Sequence, residues 1–465
     1  MNIMPFNFEE LECGDYFISN SAGFHDVVTK NYLLDLVHSS TTGCKFNDNK
    51  LKSKLFIASD RDVEVATYSL ASGTAKKIVN DMLFNPTYMI VPTLRCDHAC
   101  TYCQVSRASI GAKKYDMPER YIENIIKKIV KLSDPPYKIE IQGGEPLVRF
   151  DLIKKIYDEA LRVIGSGAFE MVIATSLSLL DRCIVNWSKG RDVFFSVSLD
   201  GSKVIHNKSR ILSDGGSFEK ARNGIKWIIE ELGADKISTV TTVTKELLKN
   251  PDSLVDAHKE LGIRGIFVRP ISPYGFADGR EGESYTIKEY MDFYRRLFER
   301  IKVECLSGLP MFEYSASVHV RRVMNPGFSQ YADLKSPGGF VFNSILFDFD
   351  GKMYGSDEAR MLQRVLPNVD FSFGKVDEGL TKNNPIYEHI ISNSFNFIHP
   401  GCDNCAYQPF CGVDACQNIS QQGEPVGDKS ISLFCNYHKE MFGYIINEYY
   451  SDPASRKILD EWCHG

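Results

Sequence analysis

The chain has 465 residues, 43% of them hydrophobic and 25% charged, which suits a folded protein of about three average domains and excludes both a disordered chain and a small stapled scaffold. Its 54 basic and 60 acidic residues leave a net charge of −6, so bulk electrostatics gives no support to nucleic-acid or anionic-membrane binding. Local basic pairs such as Arg295-Arg296 and Arg321-Arg322 read as solvated helix faces. No apolar run approaches the ~20 residues that cross a bilayer, and Met1 to Glu10 lacks a basic stretch followed by an apolar one, so a cytoplasmic protein without membrane or nucleic-acid partners is expected. In that reducing compartment the 13 cysteines point to metal or catalysis before disulfides.

In chain order, residues 1–85 form a small α+β region, with a strand over Asp15-Ser19, a turn at Asn20-Gly23, the apolar Val27-Val28 and a helix near Asn31-Val37. From 86 to 308, strand-like runs alternate with helices: Met89-Leu94, Lys138-Gln142, Met171-Ser176, Phe194-Leu199, Ser238-Val243 and Gly265-Ile271. The clearest helix runs from Ser217 to Leu232, with Ser217 placed to cap its start and Gly233 its end. Thr286 and Glu289 form a capping box before a long amphipathic helix. Six βα repeats imply a parallel sheet curled toward a partial (β/α)6 barrel, with reactive groups at the C-terminal strand ends. Residues 309–465 lose the alternation and become rich in Gly, Pro, Asn and Cys, a composition that a metal centre would stabilise.

The cysteines are grouped. Cys13, Cys44, Cys183, Cys305 and Cys463 are isolated and read as small buried hydrophobes. Cys96, Cys100 and Cys103 follow the first strand and would converge at the barrel mouth. Zinc would want a fourth ligand there, for which His98 lies inside the loop, whereas a cubane on three cysteines leaves one iron open for a substrate or cofactor. Tyr102 is an aromatic positioned to pack against an adenine. The second group, Cys402, Cys405, Cys411, Cys416 and Cys435, reads as zinc or iron-sulfur ligation.

The spacing Cys96-x3-Cys100-x2-Cys103 with Tyr102 resembles the signature of the radical S-adenosylmethionine (SAM) enzymes. Gly143-Gly144-Glu145-Pro146 after the second strand is similar to that family's GGEP element, which implies glycines that let the SAM methionine approach the backbone and a Glu145 that accepts its ammonium. Ser198 and Asp200, in Ser198-Leu199-Asp200-Gly201, fall where the family makes polar contacts to SAM. The resemblance implies two cofactors, SAM and a 4Fe-4S cluster, and a 5'-deoxyadenosyl radical that abstracts hydrogen.

The C-terminal run resembles the SPASM extension of radical SAM peptide maturases, which implies an auxiliary 4Fe-4S cluster on Cys402, Cys405, Cys411 and Cys435, with Cys416 as a displaced match. A full SPASM domain also has a cysteine after a preceding hairpin, but here Ser356 takes that place, so one auxiliary cluster is expected rather than two. Cys305, Asp357 or Glu358 are the substitutes that a second would need. Sulfatase-maturing relatives carry a catalytic base next to the missing cysteine, which maps to Asp357, with Glu358 adjacent. The stretches Cys103-Arg107, Gln142-Leu147, Arg269-Phe276 and Ser356-Arg360 resemble the His-Xaa-Ser system radical SAM maturases. Many SPASM enzymes have Thr-Asn-Gly after the third strand, whereas this chain has Thr175-Ser176-Leu177.

The function so implied is modification of a ribosomal precursor peptide, ending in a side-chain carbon cross-link of the cyclophane type, with electrons from a flavodoxin- or ferredoxin-type donor. A formylglycine maturase of sulfatases, a peptide-excising radical enzyme, and an iron-sulfur scaffold or sensor are the competing readings. Residues 1–85 would either recognise the leader peptide by strand addition or cap the barrel.

Overall fold

A computed structural model describes residues 2–42, 48–272, 274, 284–325, 327–328, 331–380 and 384–464. Cys44, Pro273, Gly275 and Phe276 lie outside the described residues. The chain divides into two compact units, one of Met1–Leu83, Ala316–Gly339 and Ile391–Gly465, the other of Phe84–Ser315 and Phe340–Ile390. The chain passes between the two units after Leu83, Ser315, Gly339 and Ile390.

In the larger unit the six expected strands form in order: β1 (Thr87–Thr93), β2 (Tyr137–Gly143), β3 (Phe169–Thr175), β4 (Val193–Ser198), β5 (Ile237–Thr242) and β6 (Val268–Arg269). They pair side by side and in parallel, in the order β6-β5-β4-β3-β2-β1. Their alternation explains the fold. Tyr137, Ile139 and Ile141 of β2, Phe169, Met171 and Ile173 of β3, and Val193, Phe195 and Val197 of β4 are all buried. The intervening residues line an open chamber. Helices Tyr121–Leu132 and Phe150–Val163 bury their own apolar faces, Ile122, Ile125, Ile126 and Ile129 in one and Leu152, Ile153 and Ile156 in the other.

The sheet continues past β1. Strand β7 (Ser344–Phe347) adds in parallel beside β1 and turns through Gly351, at φ +84°, into the antiparallel β8 (Lys352–Tyr354). The hairpin read from the sequence is therefore part of the barrel sheet. The Thr286 capping box forms as expected, Glu289 N–H donating to Thr286 Oγ1 at 3.2 Å and Thr286 N–H to Glu289 Oε2 at 2.7 Å.

In the smaller unit, strands Asn7–Glu10, Tyr16–Ser19 and His25–Val28 form an antiparallel sheet, and helix Lys30–Thr42 follows. This region packs directly on the second cysteine group: Leu11 and Phe17 share one core with Ala406, Tyr407, Phe410 and Phe442. Asn7 Nδ2 donates to the carbonyls of Asp403 (2.8 Å) and Cys405 (3.3 Å), and Lys439 pairs with Glu9 at 2.9 Å.

Three local expectations are corrected. Arg322 is not solvated: it is 5% exposed and pairs with the buried Asp81 at 3.2 Å, because it also donates to the buried Phe410 carbonyl. Cys13 and Cys183 are exposed; Cys183 lies in the short helix Arg182–Ser188, whose buried residues are Ile184, Val185 and Ser188. Ser217 is the first residue of its helix rather than its cap, since its hydroxyl is held by two histidines described below. Among the described residues, no helix is long and apolar enough to cross a membrane.

Candidate active site

At the C-terminal ends of the strands, Cys96, Cys100 and Cys103 line a chamber of about 610 Å³ together with Tyr102, Gly143, Gly144, Glu145 and Ser198. That volume is within the ~300–1,000 Å³ of small-molecule sites. The cysteine loop is pinned on both sides. Ala99 N–H donates to Ile211 O at 2.7 Å and Thr101 N–H to Ser209 O at 2.9 Å, while Arg95 grips Asp116 with two hydrogen bonds of 2.7 and 2.8 Å.

The chemistry of the donor set favours a cubane over zinc. Cys96, Asp97 and His98 have potential ligand atoms within 4.8 Å of one another, but His98 is 1% exposed and both its ring nitrogens are used, Nδ1 against Asp97 at 2.9 Å and Nε2 against the Ser217 hydroxyl at 2.8 Å. Three thiols then remain, which suits a cluster with one open iron. Burial pushes the Cys96 and Cys100 thiols upward, so without a cation there the thiolates would be strongly disfavoured.

Gly143 and Gly144 serve the fold. A Cβ on Gly143 would stand 2.3 Å from Thr93 O, and one on Gly144 2.3 Å from Arg95 O. The crowding is therefore against the backbone at and after the end of β1. Glu145 is 1% exposed and accepts four hydrogen bonds, from Leu147 N–H (3.1 Å), Thr175 Oγ1 (2.7 Å), Ser176 N–H (2.8 Å) and Ser176 Oγ (2.6 Å). Thr175, together with Ser176 in the place of the asparagine of Thr-Asn-Gly, thus orients the carboxylate. Pro146 opens the short helix after it.

Ser198 lies on the chamber wall, but Asp200 does not. Asp200 is fully buried and accepts from the Tyr102 hydroxyl and from Thr242 N–H at 3.2 Å. Burial pushes its carboxyl up, against the lowering by Arg210. Arg210 reaches the Tyr102 hydroxyl at 2.6 Å, so the residue expected to touch cofactor instead fixes the aromatic ring. Behind it, His206 Nε2 meets the same Ser217 hydroxyl at 2.9 Å. Arg210 and His206 escaped sequence reasoning, and Ser217 was read only as a helix cap, because their partners are remote in the chain.

Ser356, standing where a cysteine was expected, is the N-cap of helix Asp357–Val365 and accepts from Ala359 N–H at 3.1 Å. Asp357 borders the chamber, whereas Glu358 is not among the residues lining it. Cys305 is engaged with Met311, accepting from its N–H at 3.4 Å.

In the smaller unit, Cys402, Cys405, Cys411 and Cys435 line one cavity with Lys429 and Lys439. Cys435 is seated by its N-cap, Ser432 Oγ, at 3.3 Å. Burial pushes the Cys402 thiol up to about 12. Cys416 is buried in helix Ala415–Gln422 and is not on this cavity wall. Four thiols at one cavity with two ammonium groups beside them could hold a cluster whose negative charge the lysines offset.

Residues 90–256 match the radical SAM superfamily. The barrel is a radical SAM domain. The chain is 25% identical, over 75% of its own length and 91% of the relative's, to the cysteine-type anaerobic sulfatase-maturating enzyme of Clostridium novyi. It shares the fold of native anSMEcpe with bound AdoMet, with a TM-score of 0.66 and 19% identity over 81% of this chain and 100% of that one. It likewise resembles SuiB of Streptococcus suis bound to precursor peptide SuiA, with a TM-score of 0.55 and 14% identity over 93% and 99% of the two chains. The matched stretch contains the three-thiol loop, Glu145 and Asp200.

Proposed function

We propose that this radical SAM enzyme modifies a ribosomally made peptide, joining two side chains through carbon. The observation that carries the reading is that one chamber holds the three-thiol loop, the Glu145 wall and, beyond them, Asp357. A site of that size leaves room past the cofactor for a substrate side chain. Similarity to a sulfatase-maturating enzyme and to a structure with a precursor peptide supports a peptide as substrate.

When bound, SAM and the reduced cluster supply a 5'-deoxyadenosyl radical for hydrogen abstraction. The chain's own residues position and protect. Cys96, Cys100 and Cys103 would hold the cluster, Glu145 the SAM ammonium, and Tyr102, fixed by Asp200 and Arg210, the adenine side. Asp357 would take a proton from the oxidised substrate, for which its place at the chamber edge suits it better than that of Glu358. Cys402, Cys405, Cys411 and Cys435 would carry an auxiliary cluster, with electrons from a flavodoxin- or ferredoxin-type donor. A leader peptide would add to the edge strand His25–Val28, which lacks a second strand neighbour among the described residues.

The second reading, a formylglycine maturase of sulfatases, is favoured by similarity along 91% of the Clostridium novyi enzyme. A sensor has no use for the Glu145 wall. The test is anaerobic reaction of the reduced holoenzyme with SAM and, in separate tubes, short peptides encoded beside its gene and a sulfatase-derived cysteine peptide. Loss of two hydrogens from the encoded peptide supports the cross-link, formylglycine in the sulfatase peptide supports the second reading, and SAM cleavage with no peptide changed refutes both.

A further inference from the structure

The chamber extends below the Glu145 wall, and its inner face carries two carboxylates that the cofactor reading leaves unused, Glu140 and Glu170. Glu140 projects from β2 between Lys138 and Gln142, the other inward positions of that strand. Below it, Lys138 faces its register neighbour Glu170 at 3.9 Å. Level with Glu140 the register places Val172 of β3 and then Phe194 of β4, both on the chamber wall. Among the described residues, none gives the Glu140 carboxylate a hydrogen bond or an ion pair. Such a group, surrounded by protein yet open to the chamber, carries a desolvation cost that a partner of opposite charge would offset.

We infer that Glu140 is a specificity-determining residue, which receives a lysine or arginine side chain of the peptide substrate. The apolar Val172 and Phe194 beside it suit the methylene stem of such a side chain, while the carboxylate takes its cationic end. Other charged groups face the same space. Asp357 adds to the negative potential at Glu140, and Lys138 on the same strand and Arg269 on β6 oppose it. Burial, followed by Asp357, pushes the Glu140 carboxyl up, and an arriving cation would reverse that shift. Asp357 is the residue assigned above as the base. A cation at Glu140 would set which neighbouring peptide carbon stands before the radical source, so the inference rests on the peptide-modifying reading.

The experiment uses reconstituted holoenzyme with SAM and fluorescein-labelled Gly-Gly-Xaa-Gly-Gly, where Xaa is lysine, norleucine or glutamate. Norleucine keeps the stem of lysine and removes its charge. Fluorescence polarisation should show lysine bound about tenfold or more tighter than norleucine by the wild type, and glutamate weakest. In Glu140→Gln, close to isosteric, the lysine advantage should shrink to about threefold or less. Equal binding of lysine and norleucine by the wild type, or an undiminished lysine advantage in Glu140→Gln, overturns the inference. Failure of the peptide-modifying reading is seen separately by mass spectrometry: a lysine preference that depends on Glu140, with no peptide ever changed in mass, supports the binding role and sinks the proposed reaction.

Discussion

Glu145 and Ser176 are joined twice, the backbone N–H and the hydroxyl of Ser176 both donating to Glu145 Oε2, at 2.8 and 2.6 Å. Ser176→Ala should remove one of these charge-assisted bonds, worth roughly 1.5–3 kcal/mol, and loosen the carboxylate assigned to the SAM ammonium. SAM affinity should fall about tenfold in equilibrium dialysis, and further in Glu145→Ala. Unchanged affinity in both variants would remove Glu145 from the site.

Iron content separates the cysteines. Reconstituted wild type should hold about eight irons per chain, as two four-iron clusters. Cys411→Ser should lose about half, while Cys416→Ser, whose side chain is off the cavity wall, should keep it. About 12 irons in the wild type, or a loss in Cys416→Ser equal to that of Cys411→Ser, would contradict the assignment. The triple Cys96/Cys100/Cys103→Ala variant should make no 5'-deoxyadenosine.

Gly144→Ala places a Cβ 2.3 Å from Arg95 O. Backbone has to move, so the barrel should lose roughly 2 kcal/mol or more, read as an earlier denaturant midpoint of the apoprotein. A midpoint equal to the wild type would show that the strands part at little cost.

Acid should destabilise the barrel unit through His258, which burial lowers to about 4 from an ordinary 6.5. Its nitrogens face Thr239 Oγ1 and Leu254 O, each at 2.8 Å. The unfolded chain binds a proton that the folded one refuses, so this stability is present above about pH 6.5 and is lost progressively as pH falls toward 4, with about 2 kcal/mol gone by pH 5. Urea titrations of apoprotein at pH 7 and 5 should show the loss, reduced in His258→Gln.

If Asp357 removes the substrate proton, the yield of modified peptide per 5'-deoxyadenosine in Asp357→Asn should fall about 100- to 10,000-fold. An unaltered ratio would return the role to Glu358 or to solvent.

By itself the sequence determined the elements that repeat along the chain. Six strands and their helices were legible because apolar residues at a period of two or 3.6 report burial locally, and the cysteine spacings were legible because a cluster gathers ligands that lie close together in the chain. Only the tertiary structure decided what lies across a sheet or a cavity. Asp200 turned out to hold Tyr102 instead of facing the chamber, and the glycines of Gly143-Gly144 answer to the backbone at and just after the end of β1, since side-chain direction and backbone approach depend on strands remote in sequence. The N-terminal sheet joined the second cysteine group through a core shared by Phe17 and Phe410, a pairing over nearly the whole chain that no local pattern encodes. Glu140 was invisible for the same reason: a carboxylate in an alternating strand reads as solvent-facing, and the curl of the sheet around a polar chamber is what turned it inward.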